Sequence, residues 1–162
     1  MKSSEQEKRY FINPYTNLKD IRKSGSLIIE KGKGIYVYDD NNNRYIEGLA
    51  GLWCVALGFN NKRLIEAANR QLKQLPNYHS FTGKVPLTTL KLSEALVKIT
   101  PKSLTKVLYA NSGSESNDTA IKMAWYYQNA LGKTKKKKII SRYRGYHGVT
   151  IMSGSLTGME YA

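Results

Sequence analysis

The sequence predicts an α/β fold in which a small antiparallel unit precedes the start of a layer of parallel strands. Short β-like runs separated by turn residues occur before residue 50. Apolar residues at helical spacing follow, and beyond residue 105 strand and helix patterns alternate. Alternation of this kind favours parallel strands covered by helices.

The amino-terminal elements begin after a lead-in that extends to about Gly25. Residues 27–30 and 35–38 are rich in β-branched and aromatic side chains and are separated by glycines. An Asp/Asn turn then leads to a third run at 44–47. We expect the last two runs to form a hairpin.

Two helices are predicted next. Apolar residues recur on one face of residues 61–75, and Pro76 ends that helix. Pro86 opens a second helix, which closes near Pro101.

A strand at 106–109, a helix at 115–131 and a strand at 138–141 complete the pattern. Two strands are too few for a stable parallel sheet, since the edge backbone groups would stay unpaired. We therefore expect an amino-terminal segment over residues 1–60 and the incomplete start of a large domain over residues 61–162.

Composition places the chain among globular proteins. It has 162 residues, of which 41% are hydrophobic and 23% charged. The single cysteine, Cys54, excludes an internal disulfide and is typical of a reducing compartment. No apolar run approaches the roughly 20 residues that span a bilayer, and the first residues lack a signal-peptide core. We expect a cytoplasmic protein with no membrane partner.

The formal net charge of +14 would attract anions, including nucleic acid. Only Lys133 and residues 135–138 form a dense basic run, between a predicted helix and a predicted strand, where such runs are usually solvated loops. The other basic residues are scattered and do not interleave with aromatic residues. We favour a solvated basic surface over a nucleic-acid-binding module and expect no nucleic-acid partner.

The turn Asn111-Ser112-Gly113-Ser114-Glu115-Ser116-Asn117 has the composition of a phosphate site. It follows a predicted strand and opens a helix, whose first N–H groups have no intrahelical partner and carry the positive end of the helix dipole. Gly113 would allow close approach of an anion, and the serines could add hydroxyl donors. The alternative is an ordinary capping box, with Ser112 and Glu115 three residues apart. The two interpretations are compatible.

A second candidate segment is Tyr143-Arg144-Gly145-Tyr146-His147-Gly148, after the next predicted strand. Its glycines place an aromatic ring on a tight loop at the carboxyl end of the sheet, where ligands of open α/β folds bind. A planar cofactor ring needs such a face for stacking. The alternative is a buried tyrosine beside a surface histidine. His79 has no partner at ligand spacing, so no metal site is expected.

Together these motifs resemble the class III family of pyridoxal-phosphate (PLP) aminotransferases. The turn at 111–117 and the Gly-Tyr-His-Gly loop about thirty residues later match the family pattern. The run Glu47–Cys54, the segment Leu75–Phe81 and the run Ser155–Gly158 are similar to its omega-transaminase branch, which includes amine–pyruvate enzymes. The resemblance extends from about residue 15 to residue 158 and implies part of a fold type I PLP-dependent transferase.

The resemblance also implies roles for individual residues. Three residues of the turn are expected to bind the PLP phosphate: Ser112, Gly113 and Ser114. Two residues of the loop are expected at the cofactor ring, one stacked on it and one beside it: Tyr146 and His147. Three aromatic residues are expected to shape the substrate pocket: Trp53, Phe81 and Tyr15. Family active sites form at a dimer interface, so a homodimer is expected.

PLP transamination needs a lysine that holds the cofactor as a Schiff base and carries the proton. The family order places this lysine beyond Ala162, so we interpret the chain as an amino-terminal fragment that holds no catalytic residue and is inactive alone. The complete protein is expected to transfer an amino group between an amine or amino-acid donor and an oxo acid such as pyruvate. A class III enzyme of aminomutase or decarboxylase type, or an inactive gene remnant, stays an open alternative.

Overall fold

The computed structural model describes residues 3–160, which divide between His79 and Ser80 into two units. Each unit is described separately below. No helix in the described range is long and apolar enough to cross a membrane.

The first unit contains a three-stranded antiparallel sheet that follows two short helices. The helices are α1 (Ser3–Tyr10) and α2 (Leu18–Ser24), and the strands, in the order β1-β2-β3, are β1 (Ile29–Lys33), β2 (Tyr36–Asp39) and β3 (Arg44–Ile46). Lys31 pairs with Tyr38 across β1 and β2, and Val37 pairs with Tyr45 across β2 and β3. The hairpin predicted from the sequence is confirmed, and β1 begins two residues later than its sequence pattern.

Asp39 organises the turn between β2 and β3. Its carboxylate accepts hydrogen bonds from the N–H groups of Asn41 (3.0 Å) and Asn43 (2.7 Å), from the Asn43 side chain (2.9 Å) and from the Tyr45 hydroxyl (3.0 Å). The residue is only 4% exposed. The bond from the Asn43 side chain is the main reason why the pKa of Asp39 lies below its ordinary value of 3.8, although burial opposes the shift.

A left-handed turn, α3 (Ala50–Trp53), follows β3. The backbone angle φ is positive at Ala50 (50°), Gly51 (58°), Leu52 (58°) and Trp53 (68°). Such backbone is costly for residues that carry a Cβ atom. At Gly51, an added Cβ would also lie 2.8 Å from a methyl group of Val55, so both the backbone and the available space favour glycine there.

The three helices predicted from apolar periodicity and from their proline or glycine boundaries are confirmed. Helix α4 (Lys62–Gln74) begins after Asn61, whose side chain accepts a hydrogen bond from the Leu64 N–H, and it ends two residues before Pro76. In the second unit, α5 (Leu87–Ile99) begins after Pro86. Helix α6 (Gly113–Ala130) begins two residues earlier than predicted and is followed by the short helix α7 (Ile151–Leu156), which the sequence analysis did not predict.

The strands predicted at 106–109 and 138–141 are absent from the described chain. A strand is stabilised by a hydrogen-bonded neighbour, and residues 3–160 provide no ladder for either segment. The second unit contains only an isolated parallel bridge, between Tyr143 and Gly158. Parallel pairing of the segments 106–109 and 138–141 therefore stays a prediction.

Little apolar surface is buried. Among the described residues, the buried hydrophobic side chains are Val37 and Ile121, whereas Ile140 is 96% exposed and Ile151 is 95% exposed. Burial of apolar surface is the main favourable contribution to folding. The exposed apolar faces are therefore available for contact with other polypeptide.

The compact units do not coincide with the division after residue 60 expected from the sequence. One compact unit ends at His79 and the other begins at Ser80. A domain boundary of the complete protein is a different property, and the division at residue 60 stays a prediction.

Candidate cofactor-binding site

The turn that opens α6 is capped in the manner of a capping box. Ser112 has extended backbone angles, and its Oγ accepts a hydrogen bond from the Glu115 N–H at 3.2 Å. The Glu115 carboxylate returns to accept from the Asn111 N–H at 2.9 Å. The capping arrangement considered from the sequence is therefore present, and it fixes the shape of the turn.

Capping leaves donors available at the same turn. In the described chain, the N–H groups of Gly113 and Ser114 donate to no protein acceptor. A Cβ atom built on Gly113 would meet no heavy atom within 4 Å. Unpaired N–H groups at the start of an 18-residue helix form a site suited to an anion. These donors fit the phosphate of PLP.

The loop that carries Tyr146 is held by its backbone. The His147 N–H donates to Thr157 Oγ1 at 3.0 Å, and the His147 carbonyl accepts from the Asn117 side chain at 2.6 Å. The side chain of Tyr146 remains 57% exposed. A loop with a fixed backbone and an open aromatic face is suited to stacking on a planar ring.

Direct hydrogen bonds join the loop to the turn. Besides the bond from Asn117, the Val149 N–H donates to Ser114 Oγ at 3.0 Å. A Cβ atom on Gly148 would lie 2.5 Å from Ser114 Oγ and would also overlap Ser153 Oγ, so the loop and helix are in close contact there. The structure thus brings together the two segments that the sequence analysis singled out.

Sequence analysis missed a second set of residues at this junction. Asp118 Oδ1 accepts from the Thr150 hydroxyl at 2.8 Å and from the Ser153 N–H at 3.0 Å. Ser153 is fully buried. A signal was available, because Ser114 and Asp118 are four residues apart and lie on one face of α6.

The imidazole of His147 has one nitrogen without a partner. Its Nε2 atom is buried and finds no hydrogen-bond partner within residues 3–160. Buried polar atoms are normally paired. A partner from outside the described residues is therefore expected.

The three residues predicted at the substrate pocket are exposed. Tyr15 and Trp53 lie in the first unit, with Trp53 on the left-handed turn α3, and Phe81 lies in the second unit. Their role at a substrate pocket stays a prediction. The described residues contain no group of three or more His, Cys, Asp or Glu residues that could hold a metal ion.

Known proteins resemble the chain over most of its length. Residues 20–162 match the model of the family described as Aminotransferase class-III. Vanillin aminotransferase of Capsicum frutescens is 51% identical over 134 residues, covering 82% of this chain and 29% of the relative. Gamma aminobutyrate transaminase 1, mitochondrial, of Solanum lycopersicum is 52% identical over 134 residues, covering 82% of this chain and 26% of the relative. The chain thus spans less than a third of these relatives.

Solved structures agree in fold. The omega transaminase from Pseudomonas jessenii, in complex with PMP, superimposes with a TM-score of 0.94 at 52% identity, covering 98% of this chain and 35% of that one. This similarity confirms the predicted fold class, part of a fold type I PLP-dependent transferase, and the cofactor of the family, PLP. The chain belongs to the class III aminotransferases.

Proposed function

We propose that the complete protein catalyses PLP-dependent transfer of an amino group between an amine or amino-acid donor and an oxo acid such as pyruvate. The observation that carries the proposal is the junction between the Ser112–Ser114 turn and the Tyr146 loop. Hydrogen bonds from Val149 to Ser114 and from Asn117 to His147 hold the two segments together. A phosphate donor set therefore lies beside an open aromatic face, as a phosphorylated planar cofactor requires.

The residues of the turn would bind the phosphate. The Gly113 and Ser114 N–H groups lie at the positive end of the α6 dipole. The hydroxyl oxygens of Ser112 and Ser114 accept hydrogen bonds from Glu115 and Val149, so each hydroxyl proton is left to donate to a phosphate oxygen. Tyr146 would stack on the ring, with His147 beside it. When bound, PLP supplies the electron sink for the reaction.

We propose that the lysine needed for catalysis lies outside these 162 residues. The lysine run at 133–138 is held at the far end of α6, where Lys137 Nζ donates to Asn129 Oδ1 at 2.6 Å and the Lys137 carbonyl accepts from the Trp125 indole at 2.9 Å. At 1.5 Å per residue, Asn129 is about 24 Å along the helix from Gly113. The run is therefore too distant to serve a ligand at the turn.

Substrate and assembly are part of the same proposal. Relatives with 51% and 52% identity carry the names of different substrates, vanillin and gamma-aminobutyrate, so the donor is proposed only by its class, an amine or amino acid. Trp53, Phe81 and Tyr15 are the proposed pocket residues. A homodimer is the proposed assembly, and it would cover part of the exposed apolar surface.

The proposal is tested on the protein expressed from its complete gene. PLP should bind and produce the absorbance of a lysine-linked cofactor, and addition of an amine donor with pyruvate should yield alanine. Failure to bind PLP would refute the cofactor assignment. Binding without alanine formation would refute transamination to pyruvate and favour the aminomutase or decarboxylase alternative.

A matched pair of variants tests the ring assignment. Tyr146→Phe keeps an aromatic face and should bind PLP about as tightly as the wild type. Tyr146→Ala loses about 0.5–1.5 kcal/mol of ring contact, a roughly 2- to 12-fold rise in Kd. Inorganic phosphate should bind both variants equally. Equal PLP affinity in both variants would exclude stacking on Tyr146.

A further inference from the structure

Asp118 connects α6 to a helix that it does not adjoin in sequence. One carboxylate oxygen, Oδ1, accepts from the Thr150 hydroxyl (2.8 Å) and from the Ser153 N–H (3.0 Å). Thr150 is the N-cap of α7, and Ser153 lies in its first turn. Asp118 therefore fixes the start of α7 against α6.

The carboxyl end of α7 contacts the Tyr146 loop. Thr157, the C-cap of α7, is 8% exposed. Its Oγ1 accepts from the His147 N–H at 3.0 Å and lies within hydrogen-bond distance of two carbonyl oxygens, those of Gly148 (3.0 Å) and Ser153 (3.3 Å). The position of the backbone at His147 and Gly148, just after Tyr146, therefore depends on the position of α7.

We infer that Asp118 is a positioning residue that sets the distance between the Tyr146 ring and the phosphate turn, and that it acts through α7 and Thr157. This inference rests on the proposed binding of PLP between the turn and the loop. Within residues 3–160, Asp118 accepts hydrogen bonds from Thr150 and Ser153 and none from the turn's free donors, the Gly113 and Ser114 N–H groups. Its loss should therefore weaken contacts to the ring and leave contacts to the phosphate in place.

The bonds that remain in an Asp118 variant limit the expected effect. Val149 to Ser114 and Asn117 to His147 are direct links between the loop and α6 that do not involve Asp118. The loop should consequently shift or loosen without detaching. We expect about a tenfold loss of PLP affinity, equivalent to one hydrogen bond.

The test compares Asp118→Ala with Asp118→Asn in the protein expressed from its complete gene. Asparagine keeps an oxygen that can accept both bonds, so its PLP affinity should stay within about twofold of wild type. Alanine should weaken PLP binding and reduce the induced circular dichroism of the bound cofactor, while the Kd for inorganic phosphate is unchanged. Glu94→Ala is the control, because Glu94 is an exposed carboxylate on α5 whose ion-pair partner is Lys98 at i,i+4.

The inference would be overturned if Asp118→Ala lost PLP affinity and phosphate affinity equally. It would also be overturned if Asp118→Ala bound PLP as tightly as the wild type. If Asp118→Ala does not fold, Thr157→Val provides the same test, since it removes the hydroxyl at the loop and keeps the side-chain shape. The two substitutions should also be non-additive, because they interrupt one chain of contacts.

Amide hydrogen exchange separates this inference from the proposed function. Without any cofactor, Asp118→Ala should accelerate exchange of the His147 N–H, which Thr157 protects in the wild type. Unchanged exchange at His147 would refute the positioning role even if PLP binds. Accelerated exchange in a protein that binds no PLP would support the positioning role and refute the cofactor assignment.

Discussion

In a Gly113→Ala variant, we expect PLP affinity to fall while the free energy of unfolding without PLP stays the same or rises. The φ angle of Gly113 is not positive, and no heavy atom lies within 4 Å of an added Cβ, so the described chain accommodates a methyl group there. Alanine is favoured over glycine in a helix interior by up to about 1 kcal/mol, and by less at the first helical position. A bound phosphate, in contrast, would approach the same backbone closely.

The expected loss of PLP affinity can be estimated from the hydrogen bond that the methyl group would block. A methyl group that prevents one N–H group from reaching a phosphate oxygen removes a charge-assisted hydrogen bond, about 1.5–3 kcal/mol. This corresponds to a roughly 10- to 150-fold rise in Kd. Titration by tryptophan fluorescence measures the affinity, and urea unfolding of the apoprotein measures the stability.

Gly48→Ala is the matched control, because Gly48 also has no positive φ and no heavy atom within 4 Å of an added Cβ. It should change neither PLP affinity nor stability. Wild-type PLP affinity in Gly113→Ala would refute the reasoning. A clear loss of apoprotein stability in that variant would also refute it, since the turn would then need glycine for folding.

Three further predictions concern stability. Because the pKa of Asp39 is lowered, its charged form stabilises the fold at pH values above the ordinary pKa of 3.8, and this stabilisation is lost as the pH falls toward the lower pKa of the folded state. The urea midpoint should therefore depend less steeply on pH in the acid range in Asp39→Ala than in the wild type, and an equal pH dependence would contradict this prediction. Gly148→Ala should lower stability by about 1–3 kcal/mol in thermal unfolding because its Cβ overlaps two serine hydroxyls, and an unchanged melting temperature would argue against that close contact. Trp125→Phe removes the hydrogen bond from the indole N–H to the Lys137 carbonyl, which contributes about 1 kcal/mol. Because this bond holds the 133–138 segment in place, trypsin should cleave the segment faster in the variant than in the wild type.

The sequence was most informative where a single residue type specifies a local geometry. Asn61 and Ser112 each provide a side-chain oxygen that caps a helix, and the observed helices begin at the following residue. Pro86 marks the start of α5 for a related reason, since it has no N–H to donate. The hairpin was predictable because its turn residues and strand periodicity agree.

Prediction failed where structure depends on a distant partner. Residues 106–109 and 138–141 have strand composition, but β pairing requires a neighbouring strand that the described chain does not supply. Helix α7 was not predicted because six residues are too few to show apolar periodicity. The spacing of Asp118 from Ser114 placed both on one face of α6, but the two partners of Asp118 could not be predicted because they belong to α7 and its cap.

The left-handed turn α3 restricts which substitutions at Trp53 are informative for engineering. Asparagine, aspartate and glycine tolerate a φ of 68°, whereas valine, isoleucine and threonine do not. Substitutions at this position will therefore affect the backbone conformation as well as any contact that the side chain makes. Weak activity of a β-branched variant should accordingly be attributed first to a displaced main chain, and only unbranched variants test the proposed contact of Trp53 with a substrate.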